Sequence, residues 1–245
     1  MISSRQIGRG AVLALFAVLT VMITTASGHY LWVTVDDKVG NQGTVNVYFE
    51  HAAAAGDGEY LDRFAKNGKT WIRTITDPKP KLIPMKDISK DKLRWLTAPL
   101  SAGAPRSIDS YCKFGVYRYG KTDVLLHYNA RNIQVDSHDD LHELGRAEQL
   151  DLDIVPHDVG DDMVLTVLWK GKPVADRVVY VRGPKNFAEN PKTDAKGRVR
   201  FPIKDAGKYV FRTDVEESTA GQDDGKDYSL IRHHVTMIMM LPLKK

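Results

Sequence analysis

The chain predicts an all-β fold built as two β-sandwich domains, with a short helix in the first. Three observations carry this. Short runs rich in β-branched and aromatic residues recur along the chain, and many alternate apolar with polar. Turn signals separate them, such as Asn67-Gly68 and Gly171-Lys172-Pro173. One segment, "EYLDRFAKNG", has helical spacing, with Leu61, Phe64 and Ala65 on one face and Asn67-Gly68 as a stop.

In chain order, residues 1–28 read as an export signal. Arg5 and Arg9 precede the apolar run Ala11–Ile23, and small residues follow to Gly28. That run is shorter than the ~20 residues of a membrane span, so the alternative of an uncleaved membrane anchor is the weaker reading. Residues 29–135 form the expected N-terminal β domain, with strands at "HYLWVTV", "TVNVYFE", "TWIRTIT", "YCKFGVYRYG" and "DVLLHYNA"; "DKLRWLTAP" is ambiguous between strand and turn. The polar stretch 136–149, including "DSHDDLHELGRAEQ", reads as a linker or long loop. Residues 150–245 carry the cleaner alternation, six or more strands spaced as in an immunoglobulin-like sandwich.

Composition excludes several classes. The formal net charge is +4, and two of the positive residues, Arg5 and Arg9, lie in the leader. The rest intersperses both signs without a basic stripe, so nucleic acid is not an expected partner. Cys112 is the single cysteine, which rules out an intrachain disulfide and a cysteine-based structural zinc site. "NGKT" at Asn67 lacks the earlier glycine of a phosphate loop, since Arg63 stands there. No nucleophile elbow, dinucleotide fingerprint or EF-hand spacing appears. The chain is therefore not expected to be an enzyme and carries no predicted catalytic or organic-cofactor residues.

Eight histidines are the chemistry-bearing feature: His29, His51, His127, His138, His142, His157, His233 and His234. Cleavage after Gly28 would make His29 an N-terminus whose amine and ring chelate one ion together; cleavage after Ala26 would not. His127 shares a strand face with Leu125, the ordinary setting of a half-buried, hydrogen-bonded ring. His233 and His234 are neighbours in a strand and so point to opposite faces. Met237, Met239 and Met240 follow and read as core filling. His138 and His142, four apart, would share a helix face and clamp a divalent ion if their stretch were helical; a solvated loop is the expectation.

The order "HYLWV", "VYFEHAAAAGDGEYLDRFAK", "VLLHYNA", "GKPVADRVVYV", "TDAKGRVRF", "DYSLIRHHVTM" resembles a family of exported bacterial proteins of unknown function, often labelled as the substrate-specific component of nickel or cobalt uptake. The core from "GKPV" to "TDAKGR" is also similar to carboxypeptidase-regulatory and transthyretin-like sandwiches. The resemblance implies a soluble periplasmic or secreted protein. It groups His29, His127 and His233, with His234 as a substitute, as ligands for nickel, cobalt, copper or zinc, and implies a metal-uptake transporter in the cytoplasmic membrane as partner. Two other classes stand beside metal delivery. One is a metal-free cell-envelope module binding a glycan or protein through end loops such as "GPKNFAENPKT". The other is a copper oxygenase with a histidine brace at His29.

Overall fold

The structure is a computed structural model that describes residues 28–243; the expected export signal lies outside the described residues except for Gly28. Strands make up 56% of it and helix 8%, so the fold is all-β and sandwich-like. In chain order the elements are β1 (Tyr30–Asp36), β2 (Thr44–Glu50), α1 (Leu61–Asn67), β3 (Lys69–Thr74), β4 (Lys81–Leu82), β5 (Lys86–Lys90), β6 (Leu93–Pro99), β7 (Arg106–Tyr119) and β8 (Thr122–Gln134). Then follow α2 (His138–Leu144), β9 (Leu152–Val159), β10 (Asp162–Trp169), β11 (Lys172–Pro173), β12 (Tyr180–Arg182), β13 (Ala188–Glu189), β14 (Arg198–Pro202) and β15 (Gly207–Glu217). The hairpin β16 (Gly221–Asp223) and β17 (Lys226–Tyr228) leads into β18 (Leu230–Leu241).

An eight-stranded sheet of order β13-β12-β15-β18-β8-β7-β3-β4 runs through both halves of the chain. Its centre is the parallel pair β8 and β18, in which His127 stands opposite His233 and Tyr128 opposite His234. Side chains of a strand alternate between faces, so each central strand feeds two cores. On one face Val124, Leu126, Tyr128 and Ala130 of β8 join Leu31, Val33, Val47 and Phe49 of the sheet β1-β2-β6-β5. On the other, Val235, Met237 and Met239 of β18 join Leu152, Ile154, Leu165 and Val167 of β9 and β10. The result is three layers, with the outer sheets on opposite faces of the shared one.

The helix α1 forms as its spacing predicts, burying Leu61 and Phe64 against the first core. "DKLRWLTAP" resolves into both of its readings, a turn with positive φ at Asp91 and Lys92 and then β6. Met237 and Met239 are core residues, whereas Met240 is exposed. Cys112 is fully buried, and burial pushes its thiol up to about 12.

The stretch expected to be a linker differs. Residues 138–144 are the helix α2, capped by Ser137, whose hydroxyl accepts from the Asp140 amide. Leu141 and Leu144 are buried in the second core. Asp139 and Asp140 in its first turn complement the helix dipole. Two apolar residues three apart are enough to seat so short a helix when the rest faces water.

A buried ion-pair network ties α2 and β9 to the central sheet. Arg131 of β8 is fully buried. Its guanidinium donates to Asp109 Oδ1 and Asp153 Oδ1, each at 2.8 Å, and to the carbonyl oxygen of Gly145 at 2.6 Å. Weaker bonds reach the carbonyls of Leu144 and Ile154 and the hydroxyl of Ser107, each at 3.2 Å. Asp153 also accepts from the Ala147 amide at 2.8 Å, and Asp109 from Gln149 Nε2 at 2.6 Å. Arg131→Ala would leave buried Asp153 without its cation and Asp109 with only the cation of Arg73, whose Nε is 4.0 Å away. We expect it to lower unfolding free energy by about 3–5 kcal/mol, read from denaturant midpoints at constant slope. Arg131→Lys should restore little, because an ammonium cannot span this fork of acceptors.

Candidate functional site

The three layers separate the histidines into distinct groups. His138 and His142 of α2 share one helix face, four residues apart, and His157 of β9 rises beside them. Their ring centroids lie 4.5 Å (His138–His142), 5.1 Å (His138–His157) and 4.9 Å (His142–His157) apart. One nitrogen from each ring can be chosen so that all three lie within 4.8 Å of one another. The Nε2 atoms of His138 and His142 are 2.9 Å apart.

The ring of His138 is oriented from outside this trio. Its Nδ1 meets Asp158 Oδ1 at 2.5 Å, which directs Nε2 inward. This carboxylate–imidazole pairing is the usual outer support of a metal-binding histidine. His157 is half-buried; burial and the neighbouring His142 and His138 rings hold its pKa below the ordinary value. Nitrogens about 2.0–2.1 Å from a common ion lie a little over 3 Å apart in tetrahedral geometry. Side-chain rotation of the exposed His138 and His142 therefore suffices to close the trio on an ion. His138 also lines a cleft of about 550 Å³ with Asp139, Asp158 and Asp161, whose charge favours cation approach.

The expected ligands fall elsewhere. His127 and His233 do meet, stacked with centroids 4.7 Å apart on the face toward β10. Each is already engaged: His127 Nδ1 with the Tyr111 hydroxyl at 2.7 Å, and His233 Nε2 with Glu217 Oε1 at 2.9 Å. Trp169 lies against His233 at 4.2 Å. Burial, the His233 ring and Lys113 push His127 down to about 4. Burial also lowers His233, with Glu217 opposing it.

His234 points the other way, as adjacent strand residues must. It stacks on Tyr128 at 4.9 Å and meets the edge of Tyr30 at 5.3 Å. Burial, then Arg232 and Arg212, push it down to about 3. His29 lies on this same face but belongs to another cluster. Its ring is 4.0 Å from that of His51 and 4.7 Å from Tyr60, and its Nε2 is 3.8 Å from Glu50 Oε2. The Gly28 carbonyl oxygen lies 3.3 Å from His51 Nδ1. The peptide bond whose cleavage would free the His29 amine thus sits beside His51. The structure does not bring His29, His127, His233 and His234 to one point.

His157 and the helical setting of His138 and His142 are what sequence reasoning missed. Signals were present: Ser137 followed by Asp139 and Asp140 is a helix start, and Leu141 and Leu144 have helical spacing. Nothing in the sequence pairs His157 with them.

With this geometry in view, residues 26–217 match the family described as Domain of unknown function (DUF4198), and the chain belongs to that family. No curated protein matches it. Among solved structures, it is similar to "Biofilm associated protein - BSP domain", with 6% identity and a TM-score of 0.21 over 85% of this chain and 51% of that one. It is also similar to "The Bacillus anthracis TIE protein", with 11% identity and a TM-score of 0.18 over 87% and 39%. A third is "Crystal structure of chicken CNTN1 FN1-FN3 domains", with 7% identity and a TM-score of 0.17 over 86% and 65%. The chain spans less than two thirds of each of these. No helix among the described residues is long and apolar enough to cross a membrane.

The buried rings have a consequence for acid stability. Unfolded, His127 and His234 take up protons near 6.5; folded, they resist until about 4 and about 3. Between those limits the unfolded chain binds more protons, so stability falls as pH drops below about 6.5. Melting temperatures measured from pH 7 to pH 4.5 should decline, and His234→Phe, which keeps a ring but no titration, should flatten the decline. An unchanged slope in that variant would remove His234 from the account.

Proposed function

We propose that this protein binds a divalent transition-metal ion through His138, His142 and His157. The observation that carries the reading is the convergence of three imidazole nitrogens within 4.8 Å, one of them backed by Asp158. Three neutral imidazoles without a thiolate suit Zn(II), Cu(II), Ni(II) or Co(II). The trio supplies three ligands and lies at the surface, leaving coordination positions open to water or to an incoming donor. Such a site suits loading and release better than permanent structural retention. Together with the leader-like residues 1–28, this supports an exported, periplasmic or secreted protein serving metal uptake or delivery, with a metal-uptake transporter as its partner. His29 and His51 offer a second place for an ion once cleavage after Gly28 frees the amine; the intact mass of the exported protein reads that cut.

The test is calorimetric titration of the tag-free protein with Zn(II), Ni(II), Cu(II) and Co(II). One tight site is expected from the trio, alone when Gly28 is still attached to His29. Asp158→Asn should weaken it by about 10- to 100-fold, and His142→Ala or His157→Ala should weaken it further. His127→Ala and His233→Ala should leave it unchanged. If those last two variants abolish binding while His142→Ala does not, the ion belongs at the central sheet and this assignment is wrong.

A further inference from the structure

On the opposite face of the central sheet from His127 and His233, a cavity of about 140 Å³ opens at the end of β2. Aromatic rings form nearly all of its wall. Phe49, Phe114 and Tyr128 are its buried floor. Tyr117 and Tyr119 form the outer wall and are 40% and 41% exposed, an unusual setting for adjacent large rings on one strand face. Tyr60 and His29 complete the rim. The trio His138, His142 and His157 takes no part in this cavity; His29 alone is shared with the second place for an ion.

The rings do not form one flat platform. Phe49 and Tyr128 are inclined at 87°, Tyr117 and Tyr119 at 61°, and His29 and Tyr60 at 61°. A guest therefore meets faces from several directions. The Tyr60 hydroxyl feels Glu59 and Tyr117, and that of Tyr128 feels Tyr119, so the hydroxyls are near one another. Most of the wall is ring surface rather than polar side chain, and an aromatic face is negative.

The local charge agrees. Glu50 does not line the cavity but lies behind its rim: the half-buried carboxylate is 3.8 Å from His29 Nε2 and accepts from the Gly58 amide at 3.2 Å. A side chain at Gly56 would run into that carboxylate, so the 51–59 loop closes on it tightly. Glu59 and Asp57 add further negative potential at His29. Cations of the chain itself already lie over two of these rings. Arg63 lies 5.8 Å from the Phe114 centroid, and Arg232, paired to Glu216, lies 5.3 Å from that of Tyr119.

We propose that this cage binds the head group of a small organic cation, an alkylated ammonium. Crossed aromatic faces with a carboxylate close behind the rim attract such a group, and its methyls need no hydrogen-bond partners. The cavity takes one head group, with its chain directed outward past the touching rings of Tyr117 and Tyr119, whose centroids are 4.9 Å apart.

The probe is choline, titrated into the full-length protein in the presence of EDTA so that metal binding plays no part, with ligand-observed NMR as readout. Saturable binding is expected. Tyr117→Leu and Tyr119→Leu, both at exposed positions that the fold tolerates, should each weaken it by about tenfold, and Glu50→Gln should weaken it also. The neutral isostere 3,3-dimethylbutan-1-ol should fail to compete. Competition by that alcohol at choline's concentrations, or Tyr→Leu variants that bind choline unchanged, would overturn the proposal. So would glucose binding in the cage where choline shows no saturation.

Discussion

A charged side chain in the middle of a β-sheet is costly unless every donor finds an acceptor, and Arg131 is the point on which this structure turns. Its guanidinium reaches Asp109 on β7, Asp153 on β9 and the carbonyls that end α2. Removing the cation from water costs several kcal/mol, and two carboxylates with four further acceptors offset it. The network specifies geometry as well as energy. It sets where the α2–β9 connection crosses the central sheet. Arg73 strengthens the same junction by donating to the carbonyls of Leu144 and Arg146.

That junction matters for the metal site, because α2 and β9 supply all three histidines. Helix α2 has only seven residues, too few to persist alone. Its helical state depends on Leu141 and Leu144 in the core, on the Ser137 cap and on Arg131 at its end. With the helix held, four-residue spacing puts His138 beside His142, and β9 presents His157 to both. The aromatic cage depends on the other face of the sheet in the same way. Its floor is Phe114 of β7 and Tyr128 of β8 with Phe49 of β2, and β7 and β8 carry His127, Tyr111 and Asp109 on their opposite sides.

Much of the fold was legible because strand signals are local. "TVNVYFE" alternates and became β2 over the residues its pattern marks, and Leu61 and Phe64 turned inward as helical spacing requires. The stretch around Asp139 was harder to read. Its surface is acidic and only two apolar residues anchor it, so composition pointed to a loop while the cap and spacing pointed to a helix. The resemblance to a family of unknown function was legible and matches the family to which the chain belongs. The grouping of His29, His127 and His233 followed that resemblance, and the layers then placed His29 on one face and His127 with His233 on the other.

By itself the sequence determined the strand segments, the all-β class, the single buried thiol and a histidine-rich chemistry without cysteine ligands. Alternation also determined that His233 and His234 must part company. Only the tertiary structure decided which histidines meet. The parallel pairing of β8 with β18 set His127 against His233, and the docking of α2 on β9 brought His157 to His138 and His142. Both contacts join segments whose spacing in the chain carries no period. They arise from burying Leu141, Leu144 and Ile154 together and from satisfying one buried guanidinium, and neither cause can be read from any single segment.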